Sequence, residues 1–419
     1  MALGGLFKRL GPGFITGVSD DDPSAIATYA QTGAQFGFAQ LWTAPFVWPL
    51  LSAIQEMCGR IGRVTGLGLA GVMRRHYARP LVYTLVGIQV LVNTVTIGAD
   101  LSGMAQSGQL LWHIPYLAWL AITTCITIPL IVFIPYATYI AYLRVIGLTL
   151  LSWVAAAATL KINWHVLLRA TFVPTLRFDK DFLLALVAVL GTTISPFEFF
   201  WQSSEEVEEL VQEHAISHEG ERPSEGQLHL RFVRWDTAFG MFVANLIMYF
   251  IILVSALTLG VHGITTIDTA AQAAQALRPL GGSATFALFA LGIMSAGLIS
   301  IPVIAGSSAY AVTGALDLPG SLAVRPSKEP AFYWIIVGTS LAGLLVNALP
   351  IPPFRLLFYS AVLSGIISPV MVFVVINLAR SSRVMGRHAN SPLSNALGWT
   401  LFAIMTAALA VWIVFTVRA

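Results

Sequence analysis

Eleven apolar stretches, most of them at least about 18 residues long, follow one another along this chain, and a helix of that length crosses a hydrocarbon layer roughly 30 Å thick. Backbone polar groups must be satisfied internally in lipid, so such stretches fold as helices or as closed barrels. Barrel strands would alternate apolar and polar residues, and these stretches do not. The sequence therefore predicts an all-α membrane protein, a single transmembrane domain over 1–419. Its spans are expected at about 11–36, 41–58, 81–111, 115–135, 138–160, 182–211, 236–261, 284–315, 331–350, 354–379 and 395–417. Composition agrees, because 57% hydrophobic and 10% charged residues leave too few charges to cover a soluble surface.

The formal charge of +3 is explained by topology rather than by nucleic acid, since the basic residues sit between the apolar stretches. With a cytoplasmic N-terminus in an inner membrane, the inside segments hold 16 of the 23 Lys and Arg, Lys8, Arg9, Arg60, Arg63 and Arg144 among them. An odd number of spans then places the C-terminus outside. The first stretch follows Lys8 and Arg9 as a signal peptide would, but it carries three aspartates and no cleavage site, and it reads as a retained helix. Cys58 and Cys125 form neither a disulfide framework nor a zinc motif. The polar stretch from Glu213 to Arg231, with His214, His218 and His229, reads as a solvated connector; a metal-binding regulatory loop is the other reading. Lipid is the expected surrounding, and a monomer the expected state.

Two spans are interrupted at corresponding places, the first by Asp20-Asp21-Asp22-Pro23-Ser24 and the sixth by Thr193-Ile194-Ser195-Pro196-Phe197-Glu198. Matching Pro-interrupted spans five helices apart point to an inverted-repeat transporter whose site lies where both helices unwind. The repeats are expected over 11–160 and 182–379, with 395–417 added. Each carboxylate at mid-membrane costs roughly 2.5 to 3.5 kcal/mol, so three in a row call for a cation or a water-filled cavity. Asp22 as a mere N-cap to a helix starting at Pro23 is the plainer alternative. Ser195, Glu198 and Gln202 share one helical face beyond the second break. Glu205, Glu206, Glu208 and Glu209 read as a solvated helix end. Asp100, midway along the third span, is a candidate ion relay, and Glu56 can pair with Arg60 at i+4.

At these residues the chain resembles the Nramp family of divalent metal transporters. The likeness runs over nearly the whole length, through Gly11-Pro12-Gly13-Phe14, Val64-Thr65-Gly66-Leu67 and the two breaks. In the family the first break reads Asp-Pro-Gly-Asn and the sixth Met-Pro-His, with aspartate, asparagine and methionine as metal ligands. Here Asp22 and Pro23 match, but the asparagine position is Ala25, the methionine position Ser195 and the histidine Phe197, while a second family histidine corresponds to Gln202. Asp100 matches the family's aspartate on the third helix, although Gly103 stands where an acidic residue often follows. The pattern is closer to the Nramp-related, magnesium-transporting branch than to the proton-coupled importers. An oxygen site without a thioether suits Mg²⁺ or Mn²⁺. The resemblance implies a LeuT-type fold and transport by alternating access, weakly coupled or uncoupled to protons. The implied metal site centres on Asp22 with Asp20, Asp21, Ser195, Glu198 and Gln202. A proton-coupled Mn²⁺ or Fe²⁺ importer is the alternative, and an organic-solute symporter of the same fold a more distant one. No catalytic pair and no cofactor are expected; the metal is cargo.

Overall fold

The two interrupted spans show how local chemistry sets the architecture. The computed structural model describes residues 11–134, 148–216, 220–280 and 284–418; Lys8, Arg9, Arg144, His218 and the start of the fifth span at 138–147 lie outside them. In the first span, α1 (Pro12–Asp20) ends at Asp21 and α2 (Pro23–Phe36) begins two residues later. Proline has no N–H to continue a helix and pushes the residue before it into an extended conformation. Asp22 obeys, at φ −70° and ψ 170°, and its side chain caps α2.

The second break repeats this. Following α3 (Thr43–Thr65), α4 (Arg79–Leu111), α5 (Tyr116–Phe133) and α6 (Ser152–Thr159) comes α7 (Lys180–Thr193), and α8 (Pro196–Gln212) starts beyond an extended Ser195. The chain continues as α9 (Leu230–Thr258), α10 (Ala284–Leu316), α11 (Pro330–Val346), α12 (Pro353–Arg380) and α13 (Pro392–Arg418). Every element among the described residues is helical. Among the described residues seven helical stretches are long and apolar enough to cross a membrane, the Lys180–Gln212 stretch counted as one, and α11 is a shorter apolar helix. The first span, split at its break into α1 and α2, and α3, which carries Glu56, Arg60 and Arg63, fall outside that group.

Those charges also correct a boundary. The apolar run stops at 58, but α3 continues to Thr65 and closes at Gly66, whose left-handed φ of 66° lets its N–H reach the Gly62 carbonyl. Arg60 and Arg63 are therefore buried helix residues, not loop residues. α1 packs on α9, α8 packs on α3, and α4 is flanked by α10, α11 and α12. The α1–α9 crossing is so close that a Cβ on Gly17 would lie 2.3 Å from the Gly240 carbonyl carbon. Small residues permit such approaches between membrane helices.

Candidate cation site

Five carboxylic side chains meet around the two breaks, and none is more than 3% exposed: Asp20, Asp21, Asp22, Asp100 and Glu198. Among the described residues none of the five pairs with an Arg, Lys or His, although ionised groups at such depth need a partner.

Backbone donors meet two of them. Asp22 accepts the Ala25 N–H at 2.6 Å, and Asp100, reaching across from α4, accepts the Ser24 N–H at 3.2 Å and hydroxyl at 2.8 Å. Ser300 on α10 donates to the second Asp100 oxygen at 3.5 Å, and the Ser24 and Ser360 hydroxyls lie 2.9 Å apart. The amino end of α2, with its positive dipole, thus faces both carboxylates. The N-cap reading of Asp22 and its place at the break hold together rather than compete.

The rest fare differently. Glu198 accepts from the Gln55 amide nitrogen on α3 at 2.5 Å and lies within hydrogen-bonding reach of the Asp20 carboxyl. One oxygen of Asp20, both of Asp21, one of Glu198 and the Gln55 amide oxygen are buried with no partner. Among the described residues no three His, Cys, Asp or Glu side chains form a preformed metal cage.

Ser195 and Gln202 are committed elsewhere in this conformation. The Ser195 hydroxyl turns back to the Thr192 and Gly191 carbonyls at 2.8 and 3.1 Å. The Gln202 oxygen accepts from the Thr16 hydroxyl at 2.6 Å, and its nitrogen donates to Glu206 at 2.9 Å. That bond joins α1 to α8. On the other side of the breaks the Tyr29 and Thr193 hydroxyls, 2.8 Å apart, join α2 to α7.

The glutamates of α8 are not a solvated end. Glu206 is buried against Arg63 at 2.7 Å, and the same guanidinium binds Glu209 and, at 3.0 Å, Glu213. Glu208 accepts from the Tyr310 hydroxyl and from the Leu322 and Ala323 N–H groups at 2.7 and 3.2 Å. Helical spacing could not reveal these partners. The expected Glu56–Arg60 pair is present at 3.0 Å, buried.

The polar connector after α8 is tied down rather than free. Glu225 binds Arg387 at 2.6 Å and His388 at 3.0 Å, and the Arg387 hydrogen bond holds its carboxyl below the usual range. His214 and His229 adopt positive φ values of 56° and 45°, and the His214 ring meets the Gln212 carbonyl at 3.0 Å.

A family model described as natural resistance-associated macrophage protein-like matches residues 13–416. Among solved structures, a single-residue variant of the Eremococcus coleocola manganese transporter matches with a TM-score of 0.73 at 18% identity, covering 96% of this chain and 85% of that one. The same transporter, in complex with an aromatic bis-isothiourea substituted compound, gives 0.70 at 20% identity over the same shares. Mhp1, a nucleobase-cation-symport-1 family transporter in a closed conformation, gives 0.58 at 14% identity over 96% of this chain and 92% of that one. At such identities these likenesses show the fold, an all-helical arrangement of LeuT type.

Proposed function

The chain belongs to the natural resistance-associated macrophage protein-like (Nramp) family, and from that premise we propose that it moves a divalent metal cation, Mg²⁺, Mn²⁺ or both, across a membrane by alternating access. The observation that carries this reading is the group of five buried carboxyls at two unwound helices with no basic side chain among the described residues to neutralise them. A divalent cation supplies that charge, and freed backbone carbonyls at the breaks add oxygens.

Asp22 is the central ligand, placed at the break by its own capping bond. Asp20, Asp21 and Glu198 contribute charge directly or through water. Ser195 contributes only by turning its hydroxyl away from α7, and Gln202 only by releasing Thr16 or Glu206. Serine at the family's methionine position leaves an oxygen site, which supports Mg²⁺ and Mn²⁺ over softer ions and the Nramp-related branch over the proton-coupled importers. Phe197 and Gln202, in the places of the family's histidines, do not titrate near neutral pH, which supports transport weakly coupled or uncoupled to protons.

The contacts of α1 with α9 and of α8 with α3 cross between the two halves reciprocally, as repeats over 11–160 and 182–379 would, with 395–417 added outside them. We place the N-terminus in the cytoplasm of an inner membrane, the C-terminus outside and the working unit as a monomer. Purified protein in liposomes, assayed for Mg²⁺, Mn²⁺ and Ca²⁺ uptake beside an internal pH dye, tests the reading. Uptake of Mg²⁺ and Mn²⁺ without matching acidification is expected; no divalent flux would refute it.

A further inference from the structure

The five buried carboxyls divide by what satisfies them. Asp22 and Asp100 take their donors from the start of α2, where fixed amide dipoles favour negative charge without any ion. Asp20 is the last residue of α1 and Asp21 its C-cap, at the negative end of that helix, where backbone carbonyls point toward them. The dipole that steadies Asp22 is therefore opposed at Asp20 and Asp21.

Every unpartnered buried atom on this flank is an acceptor: Asp20 Oδ1, Asp21 Oδ1 and Oδ2, Glu198 Oε1 and Gln55 Oε1. Gln55 is the independent sign that something binds here. Its side chain is fully buried, and its amide nitrogen is fixed 2.5 Å from Glu198, so its unpartnered oxygen sits beside the same carboxylate. A buried amide oxygen without a donor is destabilising, and native structures satisfy such groups almost everywhere. A hydroxyl or an N–H would remove one orphan; a cation accepts several oxygens at once.

We propose that this flank holds a second cation of its own, ligated by Asp20, Glu198 and the Gln55 amide oxygen, separate from the one at Asp22. The inference rests on the cation-transport reading of the same cavity and reassigns Asp20 and Glu198, given there to the cargo ion directly or through water, to an ion of their own. Two carboxylates and an amide oxygen form a hard, all-oxygen set suited to Mg²⁺, Mn²⁺ or Ca²⁺. Asp21, unpartnered at both oxygens, adds charge next to it.

The test counts Mn²⁺ bound by the full chain in detergent, by equilibrium dialysis and calorimetry. Wild type is expected to bind two ions, and Glu198→Gln and Asp20→Asn one each; both keep the shape of the side chain, so either stands in if the other fails to fold. Gln55→Leu should weaken one of the two sites about tenfold, which is about 1.4 kcal/mol, and leave the other unchanged. Asp22→Ala should still bind one ion. A wild-type stoichiometry of one that Glu198→Gln and Asp20→Asn leave untouched overturns the proposal, and so does loss of all binding in Asp22→Ala. Failure of the transport reading would look different: normal flux in Asp22→Ala refutes Asp22 as the cargo ligand, while the count in Glu198→Gln still decides the second site.

Discussion

Asp22 both caps α2 and faces the cavity, so a test of its role must separate the two. Asparagine caps a helix as well as aspartate does, whereas alanine costs about 1 kcal/mol. Asp22→Asn should therefore keep wild-type thermal stability in detergent and lose most metal flux, and Asp22→Ala should lose the flux entirely and some stability. Near-normal uptake in both would sink the assignment. Ser195 offers the complementary experiment. Its hydroxyl faces the last turn of α7, and the site is buried, so Ser195→Met adds a thioether at an overpacking cost of roughly 1 to 3 kcal/mol. Calorimetry should show tighter Cd²⁺ binding and weaker Mg²⁺ competition; unchanged Cd²⁺ affinity would mean selectivity is set elsewhere. The two breaks were legible because proline acts on its immediate neighbours. Gln55 and Arg63 were not, since each meets its glutamate 143 positions away along the chain.

Among the helices, the join between α3 and α8 carries the largest electrostatic stake. Arg63 is the shared partner of Glu206, Glu209 and Glu213, and it is 1% exposed. Removing one member of a buried pair costs about 3 to 5 kcal/mol, because it strands the remaining charge. Arg63→Met should lower the melting temperature strongly, and Arg63→Met combined with Glu206→Leu should recover part of the loss. If the single variant melts like wild type, the network contributes nothing. The same residues explain why the end of α3 was misplaced from sequence: charged side chains end an apolar run, yet paired across a helix interface they extend a helix. They also reduce the topological argument from basic residues, since Arg60 and Arg63 are not in a loop.

At the scale of the molecule, the connector after α8 and the turn before α13 are fastened together by Glu225, Arg387 and His388, and Arg60 reaches the same turn through the His388 carbonyl at 2.5 Å. Glu225 is held below its ordinary value, chiefly by Arg387, so its share of stability is present above the unfolded value near pH 4.3 and is lost as pH falls through the folded one. Protection against hydrogen exchange in 220–229, taken relative to the intrinsic rate at each pH, should therefore be steady from about pH 7 to pH 5 and fall below about pH 4; a fall confined to neutral pH would contradict this. The all-helical class and the two breaks could be read from apolar length and proline alone. How the spans pack could not, because it depends on contacts between distant segments.

The hydroxyl bonds Thr16–Gln202 and Tyr29–Thr193 fasten the two broken helices to each other twice, once on either side of their unwound centres. The molecule thus resembles a canal lock with two sluices, each closed by its own bolt, and a vessel passes without flooding only while one remains shut. Each bolt should then guard the same passage from its own side. Tyr29→Phe and Thr16→Val should each raise passive Mn²⁺ efflux from preloaded liposomes, and the double variant should exceed their sum, because only there are both sluices unbolted; strictly additive leaks would mean the two work independently.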